Sequence, residues 1–318
     1  MAENTSIGTA HDAETSSAGT RTAGVASSII FGRLLSFVFT GIAFIVVARL
    51  LGNSVYGIYT VAIALAGIFA TDLGLGYTMN KFIGEYIGRK KSANINDIFS
   101  SGLAFALITG IVLTLIVFAL STALSVYALH SSLYTYVLQV ASLTVLLQIV
   151  YGVLYQSLVG FGKRRLIAAV LVLQALLQAV VSIALAVAGA GAISPIIGAI
   201  SGLLAGSMLA FALILRSGVS LQAPNMDRLR QVFRFSLPIG VSNLFISLAI
   251  NLTPIVLGLF VLSGVVGNFG ITSKTNTFIG VFAESIGIAL LPMFASRMST
   301  KEHRRDVSRI FNYSIYAS

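Results

Sequence analysis

The sequence has no cysteine, three histidines and few charges, and each shortage removes a class of chemistry. Without cysteine there are no disulfides, no Cys-ligated zinc and no thiol nucleophile. His11, His130 and His303 lie in unrelated segments and give no metal-ligand spacing. Charged residues make up 9% of the 318, where a soluble domain carries about 25%. Hydrophobic residues reach 57% and mean hydropathy is +0.95. Such a chain cannot cover a water-facing surface, so its solvent is lipid. Acids are also scarce, 10 against 20 Lys and Arg, which leaves a net charge of +10. Nucleic-acid binding would need those basic residues in a stripe interleaved with aromatics. They fall instead in short clusters between apolar runs, the pattern of membrane topology.

A membrane span needs about 20 predominantly apolar residues. Eight stretches qualify, at approximately 24–51, 56–80, 98–121, 134–160, 166–189, 194–215, 235–261 and 270–294, and a ninth begins at Phe311. Gly, Ser and Thr recur within them, which permits close helix packing in lipid. Met1 to Ala23 lacks the basic start and apolar stretch of a signal peptide. It reads as a disordered cytoplasmic tail.

Lys and Arg gather in alternate loops: Lys81, Arg89, Lys90 and Lys91; then Lys163, Arg164 and Arg165; then Arg216, Arg228, Arg230 and Arg234; then Arg297, Lys301, Arg304, Arg305 and Arg309. Positive residues stay cytoplasmic, so the even-numbered spans exit inward and the N-terminus is inside. Two inner loops, 81–97 and 221–234, mix charge with apolar residues at helical spacing and read as amphipathic helices on the inner membrane surface.

An internal repeat is visible. The first two spans meet at Leu51-Gly52-Asn53-Ser54-Val55-Tyr56-Gly57-Ile58-Tyr59, and the seventh and eighth at Leu262-Ser263-Gly264-Val265-Val266-Gly267-Asn268-Phe269. Both returning helices start Val-x-Gly-x-aromatic, with Gly57 and Gly267 210 positions apart. The same offset sets the first span against Phe235. The repeat unit is then six spans, both copies in one orientation: 24–234 is a first six-helix bundle and 235–318 the start of a second. A full second copy needs more residues than remain, so the chain reads as truncated.

Several segments now resemble one family: Ala48-Arg49-Leu50-Leu51-Gly52 running into Val55-Tyr56-Gly57-Ile58-Tyr59, Asp72-Leu73-Gly74-Leu75-Gly76 with Phe82-Ile83-Gly84-Glu85-Tyr86, Phe235-Ser236-Leu237-Pro238, Val256-Leu257-Gly258-Leu259-Phe260, and Leu290-Leu291-Pro292-Met293-Phe294. Their order and spacing resemble the polysaccharide-biosynthesis flippases, the O-antigen and teichoic-acid export type of the multidrug/oligosaccharidyl-lipid/polysaccharide exporter superfamily. The resemblance implies an all-α polytopic protein of the cell membrane, two six-helix bundles around a central cavity, and alternating access. The implied cargo is a polyprenyl-diphosphate-linked oligosaccharide, with membrane lipids as neighbours and a functional link to glycosyltransferases and polymerases. No cofactor or metal is implied.

Charges inside spans are costly and are functional candidates by default. There are four: Arg33, Asp72, Lys274 and Glu284. Arg33 and Asp72 each lie eight or nine residues from the cytoplasmic end of adjacent spans, roughly 12–14 Å deep at the helical rise. Two readings stand: a buried ion pair fixing helix register, or Arg33 binding a diphosphate while Asp72 holds or releases it. Guanidinium suits the second, because its planar donor fork matches phosphate oxygens. Glu284 sits at a depth like that of Asp72, and the repeat places Asn243 where Arg33 stood, so no basic partner is evident. It reads as a proton carrier or as a neutral, hydrogen-bonded acid. Lys274 either lines the outer cavity or snorkels to the interface, as Arg49 does. Pro195, Pro238, Pro254 and Pro292 interrupt spans or their ends, as static kinks or as joints of a rocking bundle.

No enzyme signature survives. Gly160-Phe161-Gly162-Lys163 is not a phosphate loop, since Arg164 stands where Ser or Thr is required. A flippase for lipid-linked oligosaccharide is the leading reading. The alternatives are a cation-coupled multidrug exporter of the same superfamily, a membrane scaffold and an inactive truncated remnant.

Overall fold

A computed structural model describes residues 5–89 and 92–277 of the chain. Seven α-helices are complete within them: α1 (Thr5–Phe69), α2 (Leu75–Gly88), α3 (Ser92–Ala128), α4 (Thr135–Gly160), α5 (Arg164–Val187), α6 (Ser194–Leu215) and α7 (Met226–Phe260). Six of the helices are long and apolar enough to cross a membrane. In lipid a spanning segment must satisfy its own backbone polar groups, and the helix does so within one segment. The chain is an all-α polytopic membrane protein. By contact it divides into two compact units, Met1–Ile271 and Thr272–Ser318.

The first expected span and the second as far as Phe69 both lie in α1, which is two helices joined at Gly52. Gly52 has φ 66° and ψ 169°, a conformation open to a residue without Cβ. Helix α1 begins at Thr5, inside the stretch expected to be a disordered tail. That stretch has no proline, and once a helix is nucleated each added residue contributes a further backbone hydrogen bond.

The second expected span, 56–80, does not run unbroken. The helix stops at Phe69 and restarts at Leu75. Leu73 and Gly74 between them both have positive φ, 47° and 75°. What was expected as a surface helix from residue 81 is therefore α2, which starts six residues earlier and buries Leu75, Met79, Phe82, Ile83 and Tyr86. The other expected surface helix, 221–234, is also different. Residues 219–225 are non-helical, and the rest forms the first turns of α7, capped where the Asn225 side chain accepts from the Asp227 amide at 2.9 Å. At 35 residues α7 is about 52 Å long. Pro238 and Pro254 lie inside it, whereas Pro195 opens α6 at its first turn, where a missing N–H costs nothing. Pro292 and the eighth span beyond residue 277, like the ninth, lie outside the described residues.

Packing relies on close approach. Helices α5 and α6 run antiparallel, with Gly198, Gly202 and Gly206 of α6 against Gln174, Gln178 and Ser182 of α5. Helices α3 and α4 share Thr114, which donates to the Ser142 carbonyl at 3.3 Å and accepts from the Leu146 amide at 3.1 Å. Helix α7 runs antiparallel to the second half of α1: Gly258 meets Val61 and Asn251 meets Gly67, and past the end of α1 Gly240 meets Leu73. Outward faces carry bare apolar side chains, among them Val38, Ile42, Ile108, Leu115, Phe245 and Ile250. A chain of this composition can present such faces to lipid.

Candidate functional site

Between α1 and α2 the chain leaves helical geometry at membrane depth, and backbone amides there need partners. Asp72 provides them. One carboxylate oxygen accepts from the Gly74 amide at 3.0 Å and the other from the Gly76 amide at 2.9 Å. The side chain of Asp72 thus holds the restart of helix α2, in the manner of an Asx turn. Its neighbours leave little room. A methyl group placed on Gly76 would lie 2.6 Å from the second oxygen and 2.9 Å from Cγ of Gln156 in α4. Gln156 also accepts from the side-chain amide of Asn80 at 3.2 Å, which ties α2 to α4.

Helix α7 closes the other side. The Asn243 amide approaches the first Asp72 oxygen at 3.4 Å. One turn on, the Ser247 hydroxyl donates to the Gly67 carbonyl at 2.9 Å, and one turn further the Asn251 amide donates to the Ser247 carbonyl at 2.8 Å. Asn243, Ser247 and Asn251 share one helix face at spacing four, so α7 presents a polar ladder to α1. In lipid such bonds are contributors of modest size, about 0.6 kcal/mol on average.

The end of the bundle where α2 finishes and α7 starts is basic and aromatic. Lys81 Nζ lies 3.8 Å from the centre of the Phe235 ring, a cation–π contact. Phe82 meets Phe235 edge-on, and Phe105 meets Phe233 likewise. Arg228 donates to the Tyr86 hydroxyl at 3.1 Å and to Asn94 at 3.2 Å. The incoming loop is fastened as well: the amides of Ser220, Gln222 and Asn225 donate to side chains of Asn96, Ser100 and Ser101 at 3.0–3.2 Å.

The expected Arg33–Asp72 ion pair does not form. Both oxygens of Asp72 are taken by backbone amides, and Asn243, the residue at the repeat position of Arg33, supplies the third contact. Arg33 is exposed and makes no ion pair or hydrogen bond among the described residues; the one ion pair there joins Arg89 to Glu85 at 2.8 Å. Helix α1 instead lies on α5 here, where a methyl group on Gly32 would come 2.6 Å from Cβ of Ala168. Lys274 belongs to the second unit, whose residues 272–277 are helical, and its side chain is exposed. Glu284 lies outside the described residues. Of the four candidates, the structure thus places Asp72 in a joint and leaves Arg33 without a carboxylate partner among the described residues. Sequence reasoning named Asn243 only as the repeat counterpart of Arg33 and passed over Ser247 and Asn251; their spacing of four was the available signal.

The family model for polysaccharide biosynthesis proteins matches residues 22–298. The chain belongs to that family. The sequence finds no match among curated proteins. Solved structures of similar fold include an inward-facing multidrug resistance MATE family transporter of the MOP superfamily, at 18% identity and TM-score 0.61, over 75% of this chain and 57% of that one. A second is a MOP superfamily transporter from Pyrococcus furiosus, at 17% identity and TM-score 0.62, over 91% of this chain and 73% of that one. A third is the MATE multidrug transporter DinF-BH, at 18% identity and TM-score 0.66, over 93% and 71%. At these identities the likeness is one of fold. The chain spans 57% of the first of these structures, and 73% and 71% of the others.

Proposed function

We propose that this family member moves a polyprenyl-diphosphate-linked oligosaccharide across the cytoplasmic membrane by alternating access, serving surface polysaccharide assembly beside glycosyltransferases and polymerases. The N-terminus is cytoplasmic in this reading, and the spans form one six-helix bundle and part of its repeat. The observation that carries it is Arg33: an exposed guanidinium in the stretch 24–51 read as the first span, free of any carboxylate among the described residues. An unpaired cation at membrane depth is stable only where it meets water or an anion, and a diphosphate is the anion that the family's cargo would bring. Lys274 and Glu284 enter the same reading as a second cation for the head group and as a coupling acid. Asp72 enters as the group that positions the α1–α2 joint and not as a ligand.

The test is flipping of a fluorescent polyprenyl-diphosphate oligosaccharide in proteoliposomes, followed by quenching from one side. Arg33→Ala and Arg33→Lys are both expected to lower the rate, the first by about tenfold, since a bond to a charged partner contributes about 1.5–3 kcal/mol. Normal rates in both variants would overturn the reading. A cation-coupled multidrug exporter is the second reading, supported by the multidrug transporter among the similar folds. Dye efflux that persists in Arg33→Ala, without lipid flipping by the unaltered protein, would favour it.

A further inference from the structure

The internal repeat has an offset of 210, and some of the residues that this offset relates touch one another. At the end of the bundle opposite the basic loops, residues 263–271, helical in the first unit, lie parallel to the start of the second half of α1. A methyl group placed on Gly57 would overlap the Ser263 carbonyl oxygen, and would lie 2.7 Å from that carbonyl carbon and 2.9 Å from the Gly267 amide nitrogen. One placed on Gly267 would overlap the Asn53 carbonyl oxygen, and would lie 2.8 Å from that carbonyl carbon and 3.1 Å from the Gly57 amide nitrogen. Exchange each residue for its counterpart 210 positions away, and the first set of contacts becomes the second.

Two further contacts map onto themselves. Gly264 faces Ser54, with 3.4 Å between its added methyl and the Ser54 hydroxyl, and Gly270 faces Thr60 at 2.5 Å. Both pairs are separated by 210. The two copies of the repeat therefore meet around a local two-fold axis, which passes between Gly57 and Gly267 and runs along the helices. Backbone touches backbone there because neither helix carries a side chain at the crossing. Small residues at a crossing let two helix backbones approach closely.

We infer that this reciprocal glycine crossing is the gate of the end opposite the basic loops, closed in the structure, and that it opens by parting residues 53–60 from 263–270. The inference rests on the alternating-access reading and names its seal. Three features fit a releasable seam. The glycine contacts fall within residues 53–60 and 263–270, at one end of the bundle. Behind it, residues 261–262 interrupt the helix, with Val261 extended at φ −131° and ψ 161°, so the segment from 263 can swing without bending α7. Helix α7 itself stays seated, because Gly258 is wedged between Val61 and the Ala128 carbonyl.

The chain has no cysteine, so two introduced thiols are the only ones present. With Ser54→Cys and Gly264→Cys together, mild oxidation in membranes should abolish maleimide labelling of both thiols and lower flux at least tenfold, and reduction should restore both. Failure to cross-link would overturn the closed contact. A complete cross-link with undiminished flux would overturn the gate and leave a static seam. A second readout does not depend on the cargo: Ser54→Cys alone, labelled with a membrane-impermeant maleimide, should react at least fivefold faster when Gly267→Ala is added. An unchanged labelling rate in a monodisperse double variant would overturn the gate. If the unaltered protein moves no lipid-linked oligosaccharide but the labelling rate rises, the cargo reading falls and the gate stands. If Gly267→Ala does not fold, the cross-linking arm decides.

Discussion

Two glycine-rich contacts in this molecule look alike in sequence and are built differently. Between α5 and α6 the three glycines all belong to α6, and the facing ridge of Gln174, Gln178 and Ser182 all belongs to α5. Between residues 53–60 and 263–270, each side contributes glycine and each side contributes carbonyl oxygen. The first is a one-sided ridge in a groove. The second is self-reciprocal. A one-sided groove seats one helix in the other, whereas the reciprocal crossing, in the gate reading, parts as a unit. The difference teaches that glycine spacing alone does not separate the two kinds of contact; what decides is which helix carries the glycines.

Substitutions can break that contrast. Gly202→Leu should have the largest effect on stability. Its side chain would meet the Gln174 carbonyl, 2.5 Å from the first added carbon, where backbone must move. Overpacking of this kind costs about 1–3 kcal/mol or more, read as loss of monodisperse protein or a melting temperature lower by about 5–10 °C. Gly57→Leu should lower flux by about tenfold yet depress melting by less than half as much as Gly202→Leu. Equal thermal losses in the two variants would erase the distinction. Asp72→Ala removes the acceptor for two amides of the α1–α2 joint and should cost about 1–2 kcal/mol, with Asp72→Asn in between, measured by thermal unfolding in detergent. Ser247→Ala sharpens the lower bound: loss of its bond to Gly67 should cost about 0.6 kcal/mol.

Much of the fold was legible because lipid makes the code simple: long apolar runs become helices, and the clusters around Lys163 and Arg228 mark their ends. The break at residues 70–74 was hidden by the same code. Phe69-Ala70-Thr71 is apolar enough to continue a span, and hydropathy does not register backbone geometry. The local signal was Asp72 followed two residues later by Gly74, a turn pattern that the functional reading of the acid obscured. The continuity of α7 was marked by Asn225 and Asp227, a cap with an acid in the first turn. The partner of Asp72 was not readable from one sequence, since Asn243 lies 171 positions away. The repeat offset had paired Asn243 with Arg33 in sequence, and that pairing described equivalence and not contact. The same offset gave more at Gly57 and Gly267, where equivalence and contact coincide on an axis.

The three hydrogen bonds from backbone amides that fasten residues 220–225 to α3 have a mechanical consequence. A connector of this kind would ordinarily act as slack between the sixth membrane helix and the next. Here it is a clamp, and Arg228 extends the clamp by a further turn. Torque on that end of α7 would therefore pass to α3. If the far end opens as inferred above, the break at Val261 and Leu262 is the place where the displacement would fall, with α7 as part of the frame.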